Sequence, residues 1–226
     1  MKEVDELVRN FEESSNVENA QAMSAYMRNL FPFLGLKSDL RKEKQKTFID
    51  IMSQQSMDEI IKACRLLWDL PEREYQYAAC ELLVKNQKKL RHEDLYFVTE
   101  LVIHKSWWDS VDSIAPNLLG YYFQKFPEIL KPTIRKWIDG ENIWLYRSAI
   151  LYQLKYKQST DKEYLGWIIN QFEGSKEFFI NKAIGWALRE YSKSNPNWVA
   201  DFVATNKLSP LSSREALKVI NKKNQK

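Results

Sequence analysis

The chain has 226 residues, a formal net charge of +4, 44% hydrophobic residues, six glycines and two cysteines. That length supports a full hydrophobic core without a stabilising cofactor. No stretch approaches the roughly 18 apolar residues of a membrane span, and the opening MKEVDELVRNFEESSN is too charged for a signal peptide, so a cytoplasmic protein with no membrane contact is expected.

Few glycines and seven prolines, with no alternating β-branched runs, predict an all-α chain joined by short turns. In chain order, Ser56 with Glu59, Thr160 with Glu163 and Ser212 with Glu215 carry capping-box spacing, each ahead of an apolar helical pattern. After Ser56, the residues Ile60, Ile61, Cys64, Leu67 and Trp68 share one stripe. Pro71 then fits the first turn of a following helix through Tyr75, Ala79 and Leu82, which makes a hairpin. Cys64 and Cys80 lie in apolar helical runs and read as buried free thiols. His92 and His104 flank a short helix without ligand spacing, so no metal is expected.

The hairpins repeat. WLYRSAILYQLKY (144–156) aligns on FFINKAIGWALRE (178–190), placing Ala149 on Ala183, Ile150 on Ile184, Leu154 on Leu188 and Lys155 on Arg189. The offset of about 34 residues is that of a two-helix repeat, and about six such units would fill the chain. The expected architecture is therefore a single domain over 1–226, an α-solenoid superhelix of about six HEAT-like repeats whose inner helices line a concave face.

Charge is uneven along the chain. Lys131, Arg135, Lys136, Arg147, Lys155 and Lys157 are opposed only by Asp139 and Glu141. From Lys207 onward, Lys207, Arg214, Lys218, Lys222, Lys223 and Lys226 face Glu215 alone. Such clustering suits a phosphate-binding surface, or a solvated face that binds nothing.

Four residues stand out. In KSWWDSVDS, adjacent Trp107 and Trp108 cannot both enter one core layer of a helix, so one faces solvent or a groove. Asp112 lies four residues after Trp108 and shares its face if the segment is helical, though Pro116 weakens that assignment. Asp112 also fits a plain first-turn carboxylate with Asp109 as the cap. Arg147 sits on the apolar stripe of Ile143, Leu151 and Leu154, where it must meet a carboxylate or reach a phosphate. Trp186 follows Gly185, whose missing side chain admits another backbone or a ligand, while core packing is the plainer reading for the ring. Aromatic faces, one carboxylate and one cation suit a cationic base or sugar beside a phosphate.

The segments LWDLPEREYQYAA (67–79), KSWWDSVDSIAPNLLG (105–120), ENIWLYRSAILYQLKYK (141–157) and SKEFFINKAIGWALREY (175–191) closely resemble the bacterial AlkD-type DNA alkylation repair glycosylases. MSAYMRNLFPFLG (23–35) and LSPLSSREALKVI (208–220) are similar to that family's first and last repeats. The resemblance implies a monomeric, metal-free and cofactor-free enzyme that releases cationic N3- and N7-alkylated purines from double-stranded DNA. It places the catalytic carboxylate on Asp112, sugar-facing aromatics on Trp108 and Trp186, and a phosphate-binding arginine on Arg147. Tyr26 falls on a cleft tyrosine, and Lys155 and Arg189 on backbone-binding positions. The alternatives are a non-catalytic solenoid binding DNA structure or a protein partner, and a lesion-recognising relative that recruits other repair proteins.

Overall fold

The computed structural model describes residues 1–224, and every regular element among them is a helix. Lys226 lies outside the described residues, as does the Lys223 side chain. No described helix is long and apolar enough to cross a membrane. The chain forms two contiguous units, Met1–Phe97 and a second beginning at Val98.

The first unit contains α1 (Lys2–Glu12), α2 (Val17–Tyr26), α3 (Ser38–Met52), α4 (Met57–Asp69) and α5 (Arg73–Lys85), and ends inside α6 (Leu95–Ile103). The α4 stripe is buried as expected, with Ile60, Cys64 and Leu67 at 0% exposure, and α4 packs along α5. Ser56 caps α4, accepting from the Glu59 amide at 3.3 Å. Pro71 is not in the first turn of α5, which starts at Arg73 after the Glu72 cap. The linker is instead tied by Gln76, whose amide donates to the Leu67, Trp68 and Leu70 carbonyls and satisfies the end of α4.

A second tie crosses this unit. Glu74, fully buried in α5, accepts the backbone amides of Leu34, Gly35 and Leu36 at 3.1, 2.8 and 3.1 Å. Burial raises its carboxyl pKa, its own amide and those of Leu34, Gly35 and Leu36 offset part of the rise, and the net direction is upward. Gly35 makes this turn possible: its φ is +91°, and a Cβ there would lie 2.0 Å from the Asn16 carbonyl oxygen.

The second unit completes α6 and continues through α7 (Trp108–Ile114), α8 (Gly120–Lys125), α9 (Leu130–Ile138), α10 (Ile143–Leu151), α11 (Lys162–Asn170), α12 (Phe178–Tyr191), α13 (Pro196–Thr205) and α14 (Pro210–Asn224). Here α7, α10, α12 and α14 pack side by side in that order. Helices α9, α11 and α13 pack against members of that row and form a second layer. This two-layer stacking is α-solenoid-like. The aligned pairs Ala149/Ala183 and Ile150/Ile184 are all buried on equivalent helices.

Two capping boxes fail. Asp161, not Thr160, caps α11 by accepting from the Tyr164 amide at 3.0 Å. Ser212 lies inside α14, where its hydroxyl donates to the Asn181 carbonyl at 2.8 Å, while Ser209 accepts the Ser212 amide. In each case a neighbouring side chain serves a different amide, Asp161 that of Tyr164 and Ser209 that of Ser212, and so sets the helix start. Glu215 is thereby released for other partners.

Candidate functional site: a cationic and aromatic cleft

The local structure around Trp108 and Asp112 begins with Trp107, which caps α7 in an extended conformation. Because the helix starts between the two tryptophans, their rings diverge. Trp107 packs on Trp144 and Phe179, with centroids 5.4 and 5.1 Å away. Trp108 is half-buried and lines a cleft of about 390 Å³. Asp109 is therefore a first-turn residue and not the cap, and Asp112 lies a turn further in.

Pro116 does not end this helix. Residues Ala115–Leu119 widen into a π turn, leading directly into α8. Proline has no N–H to pair with the Asp112 carbonyl four residues back, and a wider turn accommodates that loss without breaking the rod. Asn117, within the turn, donates to the Ser113 carbonyl at 2.6 Å.

Arg147, on α10, is 5% exposed. It grips Asp112 through two parallel bonds, Nε to Oδ1 at 2.7 Å and Nη2 to Oδ2 at 2.9 Å. Its Nη1 donates to the Phe179 carbonyl at 2.6 Å, which links α7, α10 and α12 through one guanidinium. Three of its five N–H groups are thus engaged, and two remain. Burial pushes the Asp112 carboxyl above its ordinary value, Arg147 pulls it down through hydrogen bonding and charge, and Asp109 adds a smaller upward push; the net direction is upward.

The rest of the wall comes mainly from α12 and α14. Phe178, Phe179, Lys182, Trp186 and Arg189 line the cleft from α12, and Glu215 and Lys218 from α14. Trp186 is half-buried at this wall and is not a core residue. Gly185 does admit a neighbour closely: a Cβ there would lie 2.5 Å from the Glu215 Cβ and 3.1 Å from the Ser212 carbonyl oxygen. Glu215 is 7% exposed in its side chain and forms ion pairs with Lys182 at 3.5 Å, Arg189 at 2.8 Å and Lys218. The Lys218 hydrogen bond, followed by the charges of all three cations, holds its carboxyl below the usual range against some desolvation.

Other predicted residues sit elsewhere. Lys155 is exposed, donates to the Asn117 side chain and does not line the cleft. Tyr26 is the last residue of α2 in the first unit and is 72% exposed. The basic run from Lys131 is dispersed: Lys131 and Arg135 rest over the rings of Tyr164 and Trp167. Among the described residues no group of three or more His, Cys, Asp or Glu side chains converges as a metal site. Cys64 and Cys80 are buried and form no disulfide.

A family model described as DNA alkylation repair enzyme matches residues 7–220. The chain belongs to this family. A solved structure from Enterococcus faecalis, described as a "Predicted DNA alkylation repair enzyme", is 34% identical, with a TM-score of 0.86 over 92% of this chain and 97% of its own. The smu.31 protein of Streptococcus mutans UA159 is 19% identical, with a TM-score of 0.59 over 80% of this chain and 96% of its own, which is a likeness of fold. No curated protein matches the chain significantly.

Membership of the DNA alkylation repair family implies a role in DNA repair, with DNA as the substrate class. Within this family member, Trp108, Arg147, Trp186 and Arg189 meet at one cleft, and Asp112 is held beside it by Arg147. Lys182 went unrecognised in the sequence, whereas Lys218 belongs to the C-terminal basic cluster and Glu215 is read there as its lone acidic residue and as a capping partner of Ser212. Lys182, Trp186 and Arg189 fall at i, i+4 and i+7, a spacing that places one aromatic between two cations on a single helical face.

Proposed function

We propose that this protein is a DNA glycosylase that hydrolyses the bond between deoxyribose and a cationic N3- or N7-alkylated purine, such as 3-methyladenine or 7-methylguanine, in duplex DNA. The observation that carries the reading is the mostly buried Asp112 carboxylate, fixed by a bidentate arginine beside a wall of aromatic rings and cations. A carboxylate held beside aromatic rings suits positive charge that develops on the sugar.

An alkylated purine already carries positive charge, so it leaves with little need for a general acid. The C1′–N9 bond breaks, its electron pair departs with the base as a neutral molecule, and positive charge develops on the sugar. Asp112 stabilises that charge, a preplaced electrostatic contact that strengthens as the transition state forms. It also orients a water for attack at C1′; the water's proton passes to the carboxylate and then to solvent. Trp108 and Trp186 contribute cation–π attraction of about 0.5–2 kcal/mol each. Arg147 offers its two remaining N–H groups to a phosphate, and Arg189, Lys155 and Tyr26 bind the substrate or its backbone.

The reading takes the chain as one domain of about six HEAT-like repeats, with the cleft wall as part of a concave DNA-binding face, working as a cytoplasmic monomer without metal or cofactor. The test is release of free 7-methylguanine from methylated duplex DNA in the presence of a chelator. Release well above the spontaneous rate supports it; none would make the protein a non-catalytic DNA binder.

A further inference from the structure

Beside Arg189, already assigned to the DNA backbone, the cleft holds two cations that the reaction just described does not use, Lys182 and Lys218. Lys182 and Arg189 project from α12 and Lys218 from α14, and all three converge on the Glu215 carboxylate. Their side chains are 39%, 30% and 52% exposed, whereas Glu215 is 7% exposed. The carboxylate is the floor of the group and the cations are its rim. One negative and three positive charges leave a net of two positive charges facing the cleft. An ammonium has three donors and a guanidinium five, so each cation keeps donors after serving Glu215.

The seat of Glu215 is built. Gly185 lets α14 approach α12 so closely that the Glu215 Cβ occupies the space a side chain there would fill. The Ser212 hydroxyl, one turn earlier, is anchored to the Asn181 carbonyl at 2.8 Å. The cations are thus gathered at a defined place on the same wall as Trp186.

We propose that Lys182, Arg189 and Lys218 form a phosphate site distinct from Arg147, and that Glu215 is a positioning residue that holds the three cations in one array. The ligand is a backbone phosphate of the duplex next to the lesion. The inference rests on the reading that this cleft takes DNA, but not on base release. Held around a common counter-ion, the cations pay less mutual repulsion and less side-chain entropy when the phosphate arrives.

Electrostatics alone and positioning give opposite signs for one variant. Glu215→Gln adds a unit of positive charge to a face that meets a polyanion, so charge alone tightens binding. Loss of the array weakens it.

The experiment is anisotropy titration of the full chain with a duplex carrying a stable abasic analogue, over a range of salt, alongside thermal melting of each variant. Lys182→Ala and Lys218→Ala are each expected to weaken binding and to lower the slope of log affinity against log salt by about one. Lys162→Ala, outside the cleft, is expected to leave the slope unchanged. Glu215→Gln is expected to bind several-fold more weakly despite its added charge. Unchanged slopes in both lysine variants, or tighter binding by Glu215→Gln, would overturn the phosphate site while leaving the DNA reading intact. Failure of the unaltered protein to bind the duplex would overturn both.

Discussion

Arg147 donates from Nε and Nη2 to the two oxygens of Asp112 at 2.7 and 2.9 Å, so the orientation of the carboxylate is set by the guanidinium plane. Such a fork fixes direction as well as charge, which a lysine at the same position could not do.

Arg147→Ala is therefore expected to act on stability before it acts on chemistry. It strands a mostly buried carboxylate, at a cost of about 3–5 kcal/mol, read from denaturant unfolding. Arg147→Ala combined with Asp112→Ala is expected to regain most of that loss, because the uncompensated charge is gone. Equal destabilisation of the single and double variants would show that the packing of Arg147 matters and its pairing does not.

The raised Asp112 pKa gives a pH signature. In the proposed reaction the ionised carboxylate is the active form, so kcat/KM for base release is expected to fall as pH drops through a value above the ordinary 3.8. The folded chain takes up this proton at higher pH than the unfolded chain. This group's stability contribution is therefore fully present below the unfolded value and lost as pH rises through the folded one. An acid limb at or below the ordinary value would show that Arg147 outweighs burial.

Trp108→Ala and Trp186→Ala are each expected to slow base release by about 2- to 30-fold, the range of one cation–π contact, with the fold retained. Loss of melting temperature with no change in rate would make the rings purely structural.

Gly185→Ala places a methyl group against the Glu215 Cβ and the Ser212 carbonyl. The backbone oxygen cannot move aside, so a loss of about 1–3 kcal/mol is expected in thermal or denaturant unfolding. A neutral result would mean that α12 and α14 separate easily.

These residues also show what the sequence could and could not convey. The helices were legible because apolar spacing is local, and the 34-residue alignment placed Ala149 and Ala183 at equivalent buried positions. Arg147 was recognisable as a charge on an apolar stripe, but its choice of partner was not, since Asp112 lies a full repeat away and only packing brings them together. Gly185 announced a close approach without naming Glu215. Glu215 itself was hidden by a local pattern, the spacing from Ser212, which lost to Ser209 at the helix start. Pro116 argued against a helix that the π turn preserves.

The central claim is that the Asp112 carboxylate, held by Arg147, stabilises positive charge that appears only as the base departs. Single-turnover release of 7-methylguanine by Asp112→Asn, with affinity measured on the same duplex, tests it most directly. The predicted result is a rate lower by about 100- to 1000-fold, the scale of one lost electrostatic contact, with affinity changed only slightly. Equal losses of rate and affinity, or a rate matching the unaltered protein, would contradict it.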